Sequence, residues 1–220
     1  MEEGELAKSV SLLEDTKIRT LHVNQDYDDG LSREDLVELM RSSFVRRLRG
    51  LRLVGCQLEL RDAEIIEKAE LPLLRDLDLS LNQFGDSGFL TVLKSPFMNN
   101  LEMLALYETE IGQDSVRALV RHRMADHLVR LDLGFNEIGT DCALAIAESG
   151  KLNNLSNLLL NCNDIGEEGG IALAGAENLR RLSKLSLYGN LLGHEGIRAL
   201  LTSEVMQNLR CLDIAENNIS

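Results

Sequence analysis

Aromatic residues are scarce in this 220-residue chain, which has no tryptophan, three tyrosines and five phenylalanines. Its core must therefore be built from aliphatic side chains, and the sequence supplies 44 leucines, one residue in five. Proline is also rare, since only Pro72 and Pro96 occur. With no Gly/Ser-rich stretch either, nothing in the sequence indicates a linker between separate domains. The composition predicts one domain whose core repeats the same packing of aliphatic side chains many times.

Cysteine is equally sparse, and long apolar runs are missing. The four cysteines lie far apart without a CxxC pair, and the acidic start of the chain does not resemble a signal peptide. No stretch approaches the roughly 18 apolar residues that cross a bilayer. We therefore expect reduced thiols in a cytoplasmic (intracellular) protein. The cysteines are Cys56, Cys142, Cys162 and Cys211.

Positive charge is in deficit, because 23 Lys and Arg residues stand against 36 Asp and Glu residues, a formal net charge of −13. Proteins bind nucleic acids largely by neutralising phosphates, and an anionic membrane surface repels a chain of this charge. We therefore expect no nucleic-acid partner and no membrane partner. The charge favours a basic protein partner, although acidity also serves solubility in proteins that have no such partner.

The leucines recur with a fixed period. A segment with leucine in its first, fourth and sixth columns begins at Leu74 and returns every 27 residues up to Leu209. Weaker copies begin at Leu48 and Ile18, which gives eight copies in register. The other starts are Leu101, Leu128, Leu155 and Leu182. Such a period predicts a solenoid, in which stacked neighbours bury the leucines that one copy cannot bury alone.

Each column of the repeat has a physical role. Leucines two residues apart on a short strand point inward together, and stacked copies form one parallel sheet. The ninth column holds Asn in five copies, where an amide side chain satisfies backbone groups left stranded in a bend. Cys56 and Thr109 occupy this column in two others and are expected to do part of the same job. The strands are predicted near residues 21–23, 51–53, 77–79, 104–106, 131–133, 158–160, 185–187 and 212–214.

The rest of each copy predicts a helix, from the second or third copy onward, with the first two copies the least regular. Thr140 and Asp141 are typical of a helix start, as a cap and an acid. Glycine stands just before this point in five copies, which indicates a tight turn. These glycines are Gly85, Gly112, Gly139, Gly166 and Gly193.

The two ends of the array carry separate expectations. Residues 1–17 are predicted to form an N-terminal helical cap, with Leu6, Val10 and Leu13 at helical spacing, and residues 18–220 to form the solenoid. The strand near residues 212–214 is expected to have an unpaired edge. That edge would favour self-association, or a longer parent protein.

The pattern L-x-x-L-x-L-x-x-N-x-I-G resembles the leucine-rich repeat over about residues 18–220. The 27-residue length and the form N-x-I-G-x-x-G at residues 163–169 resemble the ribonuclease-inhibitor-like subfamily. The resemblance implies a curved α/β solenoid, a right-handed superhelix with a parallel sheet on its concave side and helices on its convex side. Ribonuclease inhibitor itself alternates two repeat lengths and is rich in cysteine, so its nuclease-inhibiting activity is not implied for this chain.

Patterns of catalysis and metal binding are missing. The glycines near Gly166 belong to the repeat, and no Lys-Ser/Thr follows them as in a phosphate-binding loop. His122 and His127 lie beside arginines, which favours a solvated helix over a metal site. Four aspartates fall on an open face, where nothing indicates burial that would shift their pKa values. They are Asp76, Asp78, Asp132 and Asp213. We predict no catalytic residue, no metal and no cofactor.

Alternation along each strand places the third, fifth and seventh columns on the exposed concave face, with the eighth column at its rim. Aromatic side chains among acids and amides indicate an interaction surface there, because such side chains dominate binding energies. The predicted anchors are Tyr107, Phe135 and Tyr188. The residues predicted to surround them are Asp78, Asp132, Asn161 and Lys184.

The predicted function is that of a non-enzymatic protein–protein interaction module, or scaffold, that binds its partner on the concave face. Two alternatives stay open. The concave acids favour an inhibitor of a basic enzyme such as a nuclease. A GTPase-activating protein of the Ran type, a group that shares this repeat, would use an arginine in trans. The candidates for that role form a basic run of Arg41, Arg46, Arg47, Arg49 and Arg52.

Overall fold

A computed structural model describes residues 17–24 and 31–218 of the chain. Within these residues, eight parallel strands form one sheet in sequential order, and an α-helix lies between each strand and the next. The strands are β1 (Thr20–Asn24), β2 (Gly50–Val54), β3 (Asp76–Asp78), β4 (Met103–Ala105), β5 (Arg130–Asp132), β6 (Asn157–Leu159), β7 (Lys184–Ser186) and β8 (Cys211–Asp213). The helices are α1 (Arg33–Arg41), α2 (Leu60–Glu67), α3 (Gly85–Val92), α4 (Gln113–Arg121), α5 (Gly139–Glu148), α6 (Gly166–Ala174) and α7 (Gly193–Thr202).

The predicted solenoid is confirmed, and its strands lie in register column by column. Leu104 of β4 pairs with Leu131 of β5, which in turn pairs with Leu158 of β6. From β3 onward each strand covers the third to fifth columns, one residue earlier than predicted. Hydrogen bonding between neighbouring copies nevertheless continues past the ends of the strands, since the Leu79 N–H donates to the Ala105 carbonyl at 3.0 Å.

One continuous core runs along the array between the sheet and the helices. The leucines of the first, fourth and sixth columns line it in every central copy, as Leu131 and Leu133 show with 1% and 0% of their surface exposed. At the outer strands the same columns are only half-buried, as at Leu21 and Leu212. The core is thus assembled from neighbour contacts, as expected of a solenoid.

The ninth-column asparagines form the predicted ladder. The Asn136 Nδ2 donates to the carbonyls of Leu106 at 2.7 Å and Leu133 at 3.0 Å. Its Oδ1 accepts from the backbone N–H of Thr109 at 3.0 Å and from that of Ile111 at 3.2 Å. Each amide therefore satisfies backbone groups in its own copy and in the preceding one.

The two substitutes in this column keep part of that bonding, as expected. The Thr109 hydroxyl donates to the Leu106 carbonyl at 2.9 Å, and the Cys56 thiol donates to the Val23 carbonyl at 3.4 Å. Cys56 and Cys142 are buried free thiols, and burial raises their pKa values to about 12 and about 11. They are therefore poor nucleophiles at neutral pH.

Two helix predictions were wrong. A helix is already present in the first copy, because Ser32 caps α1 by accepting the Asp35 N–H at 3.1 Å. Thr140 does not cap its own helix, since α5 begins at Gly139 and the Thr140 hydroxyl donates to the Ile165 carbonyl of the next copy at 2.8 Å. Thr140, in the first turn of α5, thus bonds to the residue that precedes α6 in the next copy.

The turns around the helices are tighter than the sequence indicates. Five short 3₁₀ helices occur in the segments that return to the sheet within the described residues: Ser43–Arg47, Pro96–Asn100, Arg123–Asp126, Glu177–Leu179 and Val205–Asn208. Of the five repeated glycines before the helices, four have left-handed backbones, and Gly112, with φ of −127°, is the exception. The predicted tight turn is thus built from a conformation that suits glycine.

The ends of the chain are described in part. The predicted N-terminal cap falls outside the described residues, apart from Lys17. The strand β8 is hydrogen-bonded to β7 alone among the described strands, so no described strand covers its outer edge. Self-association at that edge stays a prediction. No helix in residues 17–24 and 31–218 is long and apolar enough to cross a membrane.

Candidate protein-interaction surface

The concave face of the sheet is a shallow, chemically mixed surface. Its middle holds a depression of about 300 Å³. The apolar part of the lining comes from Met103, Ala105 and Leu159, and the charged part includes Arg130 and Lys184 together with three aspartates. These aspartates are Asp76, Asp78 and Asp132. The depression is open and of mixed charge, which suits a protein surface better than an enclosed small-molecule site.

Two of the three predicted anchors come together. The rings of Tyr107 and Phe135 lie with their centroids 4.9 Å apart and their planes inclined by 46°, a tilted aromatic pair. Gly134 makes room for this pair, because a Cβ atom at that position would lie only 3.1 Å from Cδ2 of Tyr107. Phe135 leaves 44% of its surface exposed, whereas Tyr107 is half-buried. Burial, with a smaller contribution from Glu108, raises the Tyr107 pKa.

The third predicted anchor lies apart from the pair. Tyr188 follows β7 and Tyr107 follows β4, so about 14 Å of sheet separates their strands at the usual spacing. Tyr188 is 38% exposed. Asn161 lies between them at the seventh column after β6, and its Oδ1 is buried without a hydrogen-bond partner among the described residues. The predicted surface is therefore an elongated strip rather than one compact cluster.

The fifth-column aspartates have a structural role that the sequence did not indicate. The Oδ1 of Asp78 accepts the Ser80 N–H at 3.0 Å, and that of Asp132 accepts the Gly134 N–H at 3.0 Å. Asp213 accepts the Ala215 N–H at 3.3 Å in the same way. The bond recurs just past the strand end, where the seventh-column N–H would otherwise be stranded. Part of the concave acidity therefore serves the fold.

The expectation that no carboxyl on the concave face has a shifted pKa is wrong for Asp132. Burial raises the Asp132 pKa, and the negative charge of Asp78 adds to the rise. The hydrogen bond from the Gly134 N–H and the charge of Lys184 act in the opposite direction without cancelling it. The ionised Asp132 carboxylate therefore lowers the stability of the folded state at neutral pH.

Asp132→Asn is expected to raise the melting temperature at neutral pH. The amide keeps an acceptor for the Gly134 N–H but carries no charge that burial disfavours. A carboxyl whose folded pKa is raised destabilises the fold as pH rises from its ordinary value of 3.8 through the folded value. The advantage of Asn should therefore vanish below that ordinary value.

Thermal melts from about pH 3 to about pH 8 measure this difference. Asp132→Ala removes the acceptor as well, so it should melt below Asp132→Asn throughout the range. An advantage for Asn that is constant with pH would contradict the assignment to Asp132 ionisation.

The five arginines of residues 41–52 do not share one surface. Arg52, on the concave face, forms an ion pair with Asp76 at 2.8 Å. Arg46 pairs with Glu70, and the guanidinium of Arg47 lies 5.7 Å from the centre of the Phe44 ring. Lys184, predicted to surround the anchors, is exposed beside the central depression. The run of five arginines is thus spread over a helix end, a return turn and the sheet.

The structure adds two exposed apolar residues to the predicted anchors: Leu81, whose column the sequence placed at the rim, and Leu191, which the sequence analysis missed. Leu81, after β3, is 42% exposed, and Leu191, before α7, is 49% exposed. Together with Tyr107, Phe135 and Tyr188 they follow the end of the sheet from which the strands leave, and we name these five residues the apolar edge. Comparison of the copies carries the signal, since the position of Leu191 is Gln, Glu, Asp or Asn in copies two to six and eight.

The left-handed backbone at Leu81, Phe135 and Leu191 is a property of the repeat. The eighth column is left-handed in copies two to eight, with φ between 51° and 64°. Gly55 and Gly189 adopt this conformation without penalty, whereas Leu81 and Phe135 adopt it at a cost of roughly 1–2 kcal/mol each. Bulky apolar side chains therefore occupy exposed positions where glycine would suit the fold better.

Comparisons with known proteins agree with this geometry. The sequence matches the Leucine Rich repeat family at residues 70–91, 126–147, 151–174 and 205–220. Among solved structures the chain resembles the tropomodulin C-terminal domain of Caenorhabditis elegans, with 15% identity over 68% of this chain and 92% of that one and a TM-score of 0.50. An internalin (inlF) of Listeria monocytogenes matches with 18% identity over 94% of this chain and 70% of that one and a TM-score of 0.47. The comparison with curated proteins finds no match.

The in-register parallel sheet, the single elongated core and the asparagine ladder define the class: a curved α/β solenoid with an open sheet face. Four segments of the chain match the Leucine Rich repeat family, so the repeats of this solenoid are similar to those of that family. At 15% identity the tropomodulin domain bears on the fold alone. Membership of the ribonuclease-inhibitor-like subfamily stays a prediction.

Proposed function

We propose that this protein is a non-enzymatic interaction module that binds a partner protein on the concave face of its sheet. The observation that carries the proposal is the Tyr107–Phe135 pair, which presents aromatic surface at the centre of the array. Interfaces draw most of their energy from a few such anchors near their centre. Asp78, Asp132, Asn161 and Lys184 supply the polar surroundings, and Tyr188 extends the contact toward the last copies.

The charge supports a protein rather than a nucleic acid as partner. With a net charge of −13, the chain would repel phosphates, whereas basic proteins would be attracted. Acids also line the end of the sheet where the strands leave, all of them exposed: Glu108, Glu110, Glu137, Asp164 and Glu216. Inhibition of a basic enzyme is therefore the second candidate, and it requires fast, strongly salt-sensitive binding.

The test begins with a pull-down from the native organism and identification of the captured proteins by mass spectrometry. The best candidate is then titrated against Tyr107→Ala, Phe135→Ala and Tyr188→Ala. We expect each variant to weaken binding by about 1–3 kcal/mol, because a truncated anchor leaves its site on the partner unfilled. Finding only neutral or acidic partners would remove the inhibitor candidate.

Thermal melts of the same variants separate binding from folding. Tyr188→Ala should change stability by no more than about 0.5 kcal/mol, as at other exposed sites. Tyr107→Ala should cost more, about 1 kcal/mol, because Tyr107 is half-buried and packs on Phe135. Unchanged affinity across all three variants would place the partner elsewhere, on the convex helices or near the arginines of residues 41–52.

A further inference from the structure

We infer that the apolar edge, rather than the floor of the concave face, is the main contact, and that its occupant is an extended polypeptide segment in which apolar side chains alternate with Lys or Arg. The inference rests on the proposed function and specifies the partner for that surface. Three independent features of the described residues support it: exposure, backbone conformation and charge.

Exposure singles out the end of the sheet where the strands leave. Nine large apolar side chains are strongly exposed in the described residues, and four of them belong to this edge. They are Leu81, Phe135, Tyr188 and Leu191. Tyr107 joins them through its ring contact with Phe135. Exposed apolar side chains gathered along one edge mark a contact surface more often than ones scattered singly do.

Backbone conformation points the same way. Leu81, Phe135 and Leu191 all have left-handed backbones, with φ of 59°, 55° and 59°. Sister copies have Gly55 and Gly189 in the column of Leu81 and Phe135, so the fold itself does not need a side chain there. The conformation itself belongs to the repeat, so it marks positions where a large exposed apolar side chain contributes little to the fold.

The acids around the apolar edge indicate the charge of the segment that would bind there. Glu108 lies between Leu81 and Phe135 in the eighth column, so an acid separates two apolar side chains along the edge. Asp78 and Asp132 lie on the sheet side of the edge, and exposed acids such as Glu110 and Glu137 lie on the other. An apolar segment without cations would leave these carboxylates desolvated, whereas Lys or Arg beside each apolar side chain would pair with them. Arg would also fit beside the tyrosine and phenylalanine rings.

The length of the edge sets the length of the segment. Leu81 follows β3 and Leu191 follows β7, so the edge spans four strand intervals, about 19 Å. An extended chain rises about 3.3 Å per residue, so about six residues cover the edge. The segment would run across the strand ends and touch five consecutive copies.

The experiment selects displayed random peptides of about twelve residues, twice the covered length, on the wild-type protein. Each enriched peptide is then titrated against wild type and against the double variant Leu81→Gly/Phe135→Gly. We expect the enriched peptides to combine aromatic or aliphatic residues with Arg or Lys. The tightest of them should bind the double variant at least about tenfold more weakly than wild type, and its affinity should fall as salt is raised.

Glu216→Gly is the matched control. Glu216 has the same column and the same left-handed backbone, with φ of 55°, but lies beyond the edge. Its variant should bind the peptide within about twofold of wild type. Because glycine suits this conformation, each variant should melt within about 2–4 °C of wild type, so that lost binding is not lost folding.

The inference is overturned if no such peptides are enriched, if acidic peptides dominate, or if the double variant binds them as tightly as wild type. Lys184→Ala and Leu159→Ala, which alter the central depression and not the apolar edge, then distinguish the two proposals. Peptides that these variants weaken while the edge variants do not would leave the concave face as the site and refute only the edge. Peptides that neither set weakens would refute the proposed function as well.

Discussion

Asn136→Ala is expected to lower the free energy of unfolding by about 3–5 kcal/mol. The Asn136 side chain is 6% exposed and joins two copies through bonds to Leu106, Leu133, Thr109 and Ile111. Alanine would leave three backbone carbonyls, that of Gly134 included, and two buried N–H groups without this partner. Each unsatisfied buried group costs about 1–3 kcal/mol, although relaxation and water recover part of the sum. Urea denaturation followed by circular dichroism measures the loss.

Two further variants calibrate that result. Asn136→Thr should fall between wild type and alanine, because Thr109 shows that a hydroxyl keeps one of these bonds. Asn153→Ala removes an amide whose only bond in the described residues is an exposed one to Gly150, so it should change stability by no more than about 0.5 kcal/mol. Equal losses at Asn136 and Asn153 would contradict the structural role of the ladder.

Leu131→Ala is expected to cost about 2–5 kcal/mol, the range for a large aliphatic side chain removed from a packed core. Leu131 lies at the centre of the array, 1% exposed, between Leu104 and Leu158 on the adjacent strands. Leu212 occupies the same column on the outermost strand β8 and is half-buried. Leu212→Ala should therefore cost less, about 1 kcal/mol.

Double variants test whether coupling stays between neighbours. Leu131→Ala and Leu158→Ala remove contacting side chains and should depart from additivity by at least about 0.5 kcal/mol. Leu51→Ala and Leu185→Ala lie on β2 and β7, too far apart to share a partner, and should add within about 0.3–0.5 kcal/mol. The same denaturation curves report both pairs. Strong coupling between the distant pair would contradict an array held together by neighbour contacts.

The repeat made the fold predictable, because eight copies of one pattern average out local exceptions. Leu131 and Leu133 were assigned to the core from their columns alone, and both are buried. The exceptions lie where the pattern weakens. The helix α1 was missed because it belongs to the irregular first copy, although Ser32 and the apolar spacing of Leu36 and Leu39 carried its signal.

Which residues share a face was also predictable, since side chains alternate along a strand whatever surrounds it. Distances across that face were not. Tyr107 and Phe135 come within ring contact only because Gly134 leaves room and Phe135 adopts a left-handed backbone. Tyr188 has the same column as Tyr107 but lies three strands away.

The amino-acid sequence by itself determined the solenoid, the leucine core and the asparagine ladder, because these depend on which residue types recur at which spacing. Only the tertiary structure decided what each exposed residue does. The Asp132 carboxyl accepts a stranded N–H and has a raised pKa because neighbouring copies bury it. Leu81 and Leu191 stand out only once their exposure and backbone conformation are seen together. The burial of Asp132 and the exposure of Leu81 and Leu191 depend on how the copies pack, which a linear pattern does not contain.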